Sequence, residues 1–262
     1  MSQEKLLYLS SDPRRDFVDK IVDWAFLQSV RRIETRGSER NIPPKGPFVL
    51  GFAPHSGWLE VFVIDHYLRK ARDSGQGAVW ITKKENAQDI PHWVRGERRL
   101  LFLDRGEPTP YVFRSARRIM ERGGIVGSAF EGTRYGNPDD PEDLLTLGRF
   151  KPGLVHIARK AGVPIIPVVV LGVEKVIPSP EKVKSKSQFV VVTEVAKEAA
   201  KGGAKIQLRF LPPYRGHLID TGEANGKENI NVRLRELGET LAKEIAAINS
   251  SYPLGPYGHE QG

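Results

Sequence analysis

The stretch Phe48-Val49-Leu50-Gly51-Phe52-Ala53-Pro54-His55-Ser56-Gly57-Trp58-Leu59-Glu60 decides how the rest of the chain is read. Its first six residues form a short apolar run that reads as a buried strand, and Trp58 to Arg72 reads as a helix. The turn between them holds a histidine, and the first helical turn holds a glutamate. A strand that feeds a helix through a polar turn is the opening half of an α/β unit.

The same alternation continues outward from this stretch. Ala78–Thr82 and Leu100–Leu103 read as strands, Tyr111–Arg122 as a helix stopped by Gly123-Gly124, and Ile125–Phe130 as a further strand. Pro152–Lys160 reads as a helix ended by Gly162. Val163–Leu171 reads as a very apolar strand, which Pro164 and Pro167 push toward a sheet edge or a bend. Phe189–Thr193 and Lys205–Leu211 read as strands. Asn231–Ile248 reads as an amphipathic helix with Leu234, Leu237, Leu241, Ile245 and Ile248 on one face. The expected fold is therefore α/β, one domain with a mostly parallel central sheet flanked by helices. The boundaries expected are an N-terminal helical segment over 1–40, the main domain over 41–249 and a flexible tail over 250–262.

Composition narrows the function. The chain has 262 residues and no cysteine, which excludes disulfides, thiolate nucleophiles and cysteine-bound metals. Its formal charge of +8 favours anionic partners. The basic residues are dispersed and no aromatic-basic RNA motif occurs, so nucleic acid is not the expected partner. No apolar run approaches the ~20 residues that span a bilayer, and the N-terminus lacks the pattern of a secretory signal. The expected location is thus cytoplasmic. Phe17, Ile21, Trp24 and Leu27 recur at helical spacing between Arg14-Arg15 and Arg31-Arg32. Both an interfacial helix and a helix packed on the domain fit that pattern.

The polar residues collect after the strands, where open α/β sheets bind their ligands. If Ser56 caps the helix, Glu60 lies in its first turn and leans back toward His55. A carboxylate on one imidazole nitrogen fixes the tautomer and leaves the other free as a base. The attacking oxygen can then come from an acceptor hydroxyl, without a serine or cysteine nucleophile. Arg105 in Leu103-Asp104-Arg105-Gly106 and Arg134 in Glu131-Gly132-Thr133-Arg134 carry forks suited to phosphate. An internal Asp104–Arg134 ion pair accounts for them equally well. Glu131 can accept hydrogen bonds from Arg134 or from loop amides, and Thr133 can be a turn former. Lys151 can be a solvated helix start, and loop amides near Gly132 are candidates for an oxyanion hole. His66, His92, His156, His217 and His259 have no metal-ligand spacing, and no metal is expected.

Four of these segments in order resemble one family, the glycerolipid acyltransferases of the 1-acylglycerol-3-phosphate type. Pro54-His55-Ser56-Gly57-Trp58-Leu59-Glu60 is similar to the family's Asn-His-x-x-x-x-Asp block. Leu101-Phe102-Leu103-Asp104-Arg105 is similar to its apolar strand ending in Asp-Arg, and Ala129-Phe130-Glu131-Gly132-Thr133-Arg134 to its Phe-Pro-Glu-Gly-Thr-Arg, with the proline replaced. Gly162-Val163-Pro164-Ile165-Ile166-Pro167-Val168 resembles its valine-proline segment, and Lys151-Pro152-Gly153 its Lys-x-Gly. The likeness runs from about Arg36 to Gly172. Pro54 stands where the family has Asn, and Glu60 where it has Asp.

The resemblance implies that His55 is a general base assisted by Glu60. It also implies that Arg105, Glu131, Gly132, Thr133, Arg134 and Lys151 bind the acceptor and its phosphate. Acyl-CoA or acyl-carrier protein is the implied donor, with no metal or organic cofactor. The implied acceptor is a lysophospholipid, with 1-acylglycerol 3-phosphate first. Glycerol 3-phosphate, another lysophospholipid or an amino-acid lipid remains an alternative, as does a catalytically silent lipid-binding protein. The implied setting is peripheral, at the inner face of the cell membrane.

Overall fold

The computed structural model describes residues 32–55, 59–84, 100–103, 110–132, 146–175, 205–215 and 226–258, with backbone alone at 32, 59 and 226–229. Seven strands form one sheet: β1 (Arg32–Arg36), β2 (Phe48–Ala53), β3 (Val79–Lys83), β4 (Leu100–Leu103), β5 (Ile125–Ala129), β6 (Ile165–Leu171) and β7 (Lys205–Phe210). Their order across the sheet is β1-β7-β6-β2-β5-β3-β4. Every neighbouring pair is parallel except β6 with β7. The described helices are α1 (Ser38–Asn41), α2 (Leu59–Ala71), α3 (Pro110–Glu121), α4 (Gly153–Ala161) and α5 (Gly226–Ile248). This is the mostly parallel α/β sheet that the alternation of strands and helices implies.

Strand β2 is central because it can be buried on both faces. All six of its residues are buried. Phe48, Leu50 and Phe52 join Phe62, Ile64 and Leu68 of α2, with Trp80 and Ile166, in one core. Val49 and Ala53 point the other way, into a core that holds Ala116 and Met120 of α3, Leu154 and Val155 of α4, and Leu237 and Leu241 of α5. A strand packed on both sides reads as a continuous apolar run. Gly51 interrupts that run for a steric reason. A Cβ there would lie 2.1 Å from the Phe130 ring, which crosses the strand at that point.

Four expectations change. The sheet begins at Arg32, inside the segment 1–40 expected to be helical, because Ile33 and Thr35 alternate along β1 and pair it with β7. Residues of such a charged segment become a strand only through a partner. Second, β6 is not at an edge, since β7 and β2 flank it. Pro167 is tolerated because its missing N–H faces the end of β7. Its carbonyl accepts Leu211 N–H at 2.9 Å, and the next pairing is Ile165 with Tyr214. Between those pairings β6 moves two residues and the opposite chain three, a bulge of the kind that accommodates proline.

Third, residues 250–258 of the expected tail are folded onto the domain. Tyr252 is buried, Pro253 O accepts Leu147 N–H at 2.9 Å, and Gly255–Tyr257 forms a 3-10 turn. Two aromatic side chains gave this segment enough apolar surface to dock. Fourth, α5 starts at Gly226, five residues earlier than its apolar periodicity implies. The helix expected near 17–30 and the strand expected at Phe189–Thr193 lie outside the described residues.

Replacing Gly51 with alanine will force the Phe130 ring aside and lower stability by about 1–3 kcal/mol. Denaturant unfolding of Gly51→Ala checks this, and an unchanged midpoint would refute the steric account.

Candidate active site

The polar residues that follow β2 and β5 meet at one end of the sheet. β2 and β5 are neighbours in register, with Phe52 opposite Ala129 and Phe130 N–H bonded to Phe52 O at 3.0 Å. The chain leaving β2 therefore emerges beside the chain leaving β5. After the cis Ala53–Pro54 peptide comes His55, and after Phe130 comes Glu131.

Glu131 joins the two loops. Its side chain is fully buried, and it accepts two backbone N–H groups at 2.7 Å each: His55 N on one oxygen and Gly148 N on the other. A carboxylate removed from water is costly unless its oxygens are hydrogen-bonded, and these two amides supply that. Burial pushes the Glu131 carboxyl up to about 8, the amides of Gly148 and His55 pull it down, and the charge of Glu60 adds to the rise. Of the partners open to Glu131 from sequence, the loop amides are the ones it meets. Both oxygens of the buried Glu131 carboxyl group accept from the protein's own backbone.

Glu60 occupies the first turn of α2 and is also fully buried. Its Oε1 lies 3.9 Å from His55 Nδ1, an ion-pair distance too long for a hydrogen bond. Catalytic contacts of this kind commonly tighten only when substrate binds. The imidazole is 20% exposed and meets Phe52 edge-on, with ring centroids 5.5 Å apart. Nδ1 thus faces the Glu60 carboxyl group on a ring that is only partly open to solvent.

Gly132 and Lys151 form a rim beside this pair. Gly132 has φ 67°, a left-handed conformation that favours glycine, and both residues are exposed. A Cβ on Gly132 would lie 3.4 Å from Lys151 Cγ, so the lysine stem runs over the glycine. Lys151 N–H donates to Phe130 O at 2.8 Å, which ties the start of α4 to the Glu131 turn. The Gly132 amide donates to Ala129 O at 3.2 Å, and the His55 amide to Glu131. Both amides thus make hydrogen bonds within the turns.

His55, Glu60, Glu131, Gly132 and Lys151 are thus brought together. Arg105, Thr133 and Arg134 lie outside the described residues, as do Asp104 and the proposed cap Ser56. Strand β4, which leads to Arg105, is three places from β2, or about 14 Å at ~4.8 Å per strand.

Three neighbours were missed. Gly148 carries an N–H that holds Glu131. Glu174, after β6, accepts Gly172 N–H at 2.8 Å, and burial raises its carboxyl. Tyr252 is buried, and its hydroxyl is raised by burial first and then by the charges of Glu174, Glu131 and Glu60. No local motif marks any of them. Among the described residues no group of three or more His, Asp or Glu side chains is placed to hold a metal, and no helix is long and apolar enough to cross a membrane.

The mostly parallel α/β sheet thus brings a histidine and two buried acidic side chains together at its carboxyl end. The acyltransferase family profile matches residues 32–171, from β1 to the end of β6, and the chain belongs to the acyltransferase family. It is an acyltransferase enzyme. Among solved structures, it is similar to the crystal structure of the 1-acyl-sn-glycerophosphate (LPA) acyltransferase PlsC from Thermotoga maritima. The identity is 20% and the TM-score 0.54, over 94% of this chain and 86% of that one. Among curated proteins, none matches the chain significantly by sequence.

The Glu131 carboxyl gives folding a signed pH dependence. Its folded value stands above the ordinary 4.5, so the folded chain keeps the proton longer. Its contribution to stability falls as pH rises from about 4.5 through about 8. Because burial also raises the Glu174 carboxyl, stability across that range should fall with pH in both proteins, and more steeply in the wild type than in Glu131→Gln. Parallel slopes in the two proteins would refute the assignment.

Proposed function

We propose that the protein transfers a fatty acyl group from acyl-CoA or acyl-carrier protein to a hydroxyl of a lysophospholipid, with 1-acylglycerol 3-phosphate as acceptor and phosphatidic acid as product. The observation that carries this reading is the fixing of His55 by two buried carboxylates, Glu131 on its amide and Glu60 facing Nδ1. The match of the acyltransferase family and the fold shared with an LPA acyltransferase support it.

The chemistry follows from that arrangement. His55 Nε2 takes the proton of the acceptor hydroxyl as its oxygen attacks the thioester carbonyl. Glu60 offsets the charge of the imidazolium and holds its orientation. Collapse of the tetrahedral intermediate breaks the carbon–sulfur bond, and the imidazolium returns its proton to the departing thiolate. Every proton is accounted for by His55, the acceptor and the thiol. The reaction needs the acyl thioester as co-substrate and no further cofactor.

Lys151 on the rim, with Arg105 and Arg134, is assigned to the acceptor phosphate, for which guanidinium and ammonium groups are suited. Glu131 acts in this reading through His55 and not by touching the acceptor.

His55→Ala should lower acyl transfer by about 10²–10⁴-fold, the usual contribution of general-base catalysis. Thioester release with a panel of lysolipids measures this, and wild-type turnover in that variant would sink the mechanism. Replacing Lys151, Arg105 or Arg134 with alanine should raise the KM of a phosphate-bearing acceptor about tenfold or more, the worth of a charge-assisted hydrogen bond. A KM raised equally for acceptors without a terminal phosphate would point to a different acceptor.

A further inference from the structure

We infer that the C-terminal segment 252–258 is a working part of this site, with Tyr257 as a positioning residue that acts on His55 through residues 147–150 and Glu131. The inference rests on the acyl-transfer reading above and extends it to a segment beyond residues 32–171, where the family profile matches.

Two hydrogen bonds grip the chain on either side of Gly148. Leu147 N–H donates to Pro253 O at 2.9 Å, and Phe150 N–H donates to the Tyr257 hydroxyl at 2.9 Å. The residue between them donates its own N–H to Glu131, whose other oxygen holds the His55 amide, each at 2.7 Å. A second route runs through rings. Tyr257 lies against Phe150 with centroids 5.0 Å apart, and Phe150 stacks on Phe130 at 4.8 Å and 10°. Phe130 is the residue before Glu131. Backbone and ring contacts from the C-terminal segment therefore converge on the same carboxylate.

Two glycines show that the segment is seated against specific groups. Gly255 has φ 53°, and a Cβ there would lie 2.2 Å from Leu147 O. Gly238, within α5, would place a Cβ 2.1 Å from the Tyr257 ring. Glycine is unfavourable inside a helix, so α5 gives up propensity at the point where the ring must sit. A docked tail that only added stability would call for buried apolar area alone. Here the tail supplies the two acceptors that set the height of the Gly148 amide. A shift at Gly148 moves Glu131, and Glu131 carries the His55 backbone. Small displacements of a catalytic group are amplified in rate, because the reacting atoms must meet at close range.

The test uses the full chain with Tyr257→Phe, which keeps the ring and removes only the acceptor oxygen. Gly238→Ala, which pushes the ring from its notch, is the second variant. Amide hydrogen exchange at Gly148 and His55 is read by NMR, alongside steady-state acyl transfer and thermal melting. Both variants should exchange faster at these two amides while the amides of β2 stay protected. In both, kcat should fall about tenfold with the acceptor KM within about twofold. Unchanged exchange at His55, or unchanged kcat in a variant whose melting temperature has dropped, would overturn the inference. Exchange does not depend on activity. A wild type inactive with every acceptor would count against the acyl-transfer reading alone, and the exchange data would still decide whether the tail braces the loop.

Discussion

A single carboxylate, buried beneath two loops, holds the working end of this protein together. Glu131 leaves β5 pointing inward, and both of its oxygens are taken by amides, one from His55 and one from Gly148. An ionisable group in such a place is tolerated only where donors replace the lost water. That requirement works in both directions. The loops supply donors to the carboxylate, and the carboxylate fixes loops that have no regular ladder of their own.

The sheet explains why this can happen at residues 55 and 131. Parallel neighbours in register deliver their following loops to the same end, and β2 and β5 do so with Phe52 opposite Ala129. Helix α2 then returns Glu60 toward His55, and the loop before α4 brings Gly148 and Lys151 over the Glu131 turn. The arrangement places two buried carboxylates close to one imidazole. One faces the ring and the other holds the backbone, so the imidazole and the main chain of His55 are fixed by different groups. Glu60 also raises the Glu131 carboxyl, so the two are electrostatically linked.

Much of the architecture could be read from residue pattern. The continuous apolar runs of β2, β5 and β6 and the glycine stops after α3 and α4 specify their elements locally, and all were recovered within a few residues. β1 could not be read in the same way, because Arg32–Arg36 carries a strand pattern of only two alternating positions and owes its form to β7. Pro164 and Pro167 pointed to an edge or a bend, and β6 is internal, with a bulge on the opposite chain beside Pro167. The residues 250–258 looked like a tail because turn-forming residues dominate them. Their docking depends on Leu147, Phe150 and Gly238, which are distant in sequence.

The sequence by itself determined the α/β alternation, the family through four ordered blocks, and His55 with Glu60 as the pair to watch. These are short-range facts, set by periodicity and by residue types a few positions apart. Only the tertiary structure decided which loop amides Glu131 meets, since the folded chain brings those of His55 and Gly148 within 2.7 Å of its oxygens. It also decided that Gly148 holds Glu131 and that Pro253 and Tyr257 of the C-terminal segment hydrogen-bond to Leu147 and Phe150. Burial and hydrogen bonding between residues 76 or 107 positions apart leave no local signature, because the energy lies in the contact and not in either segment alone.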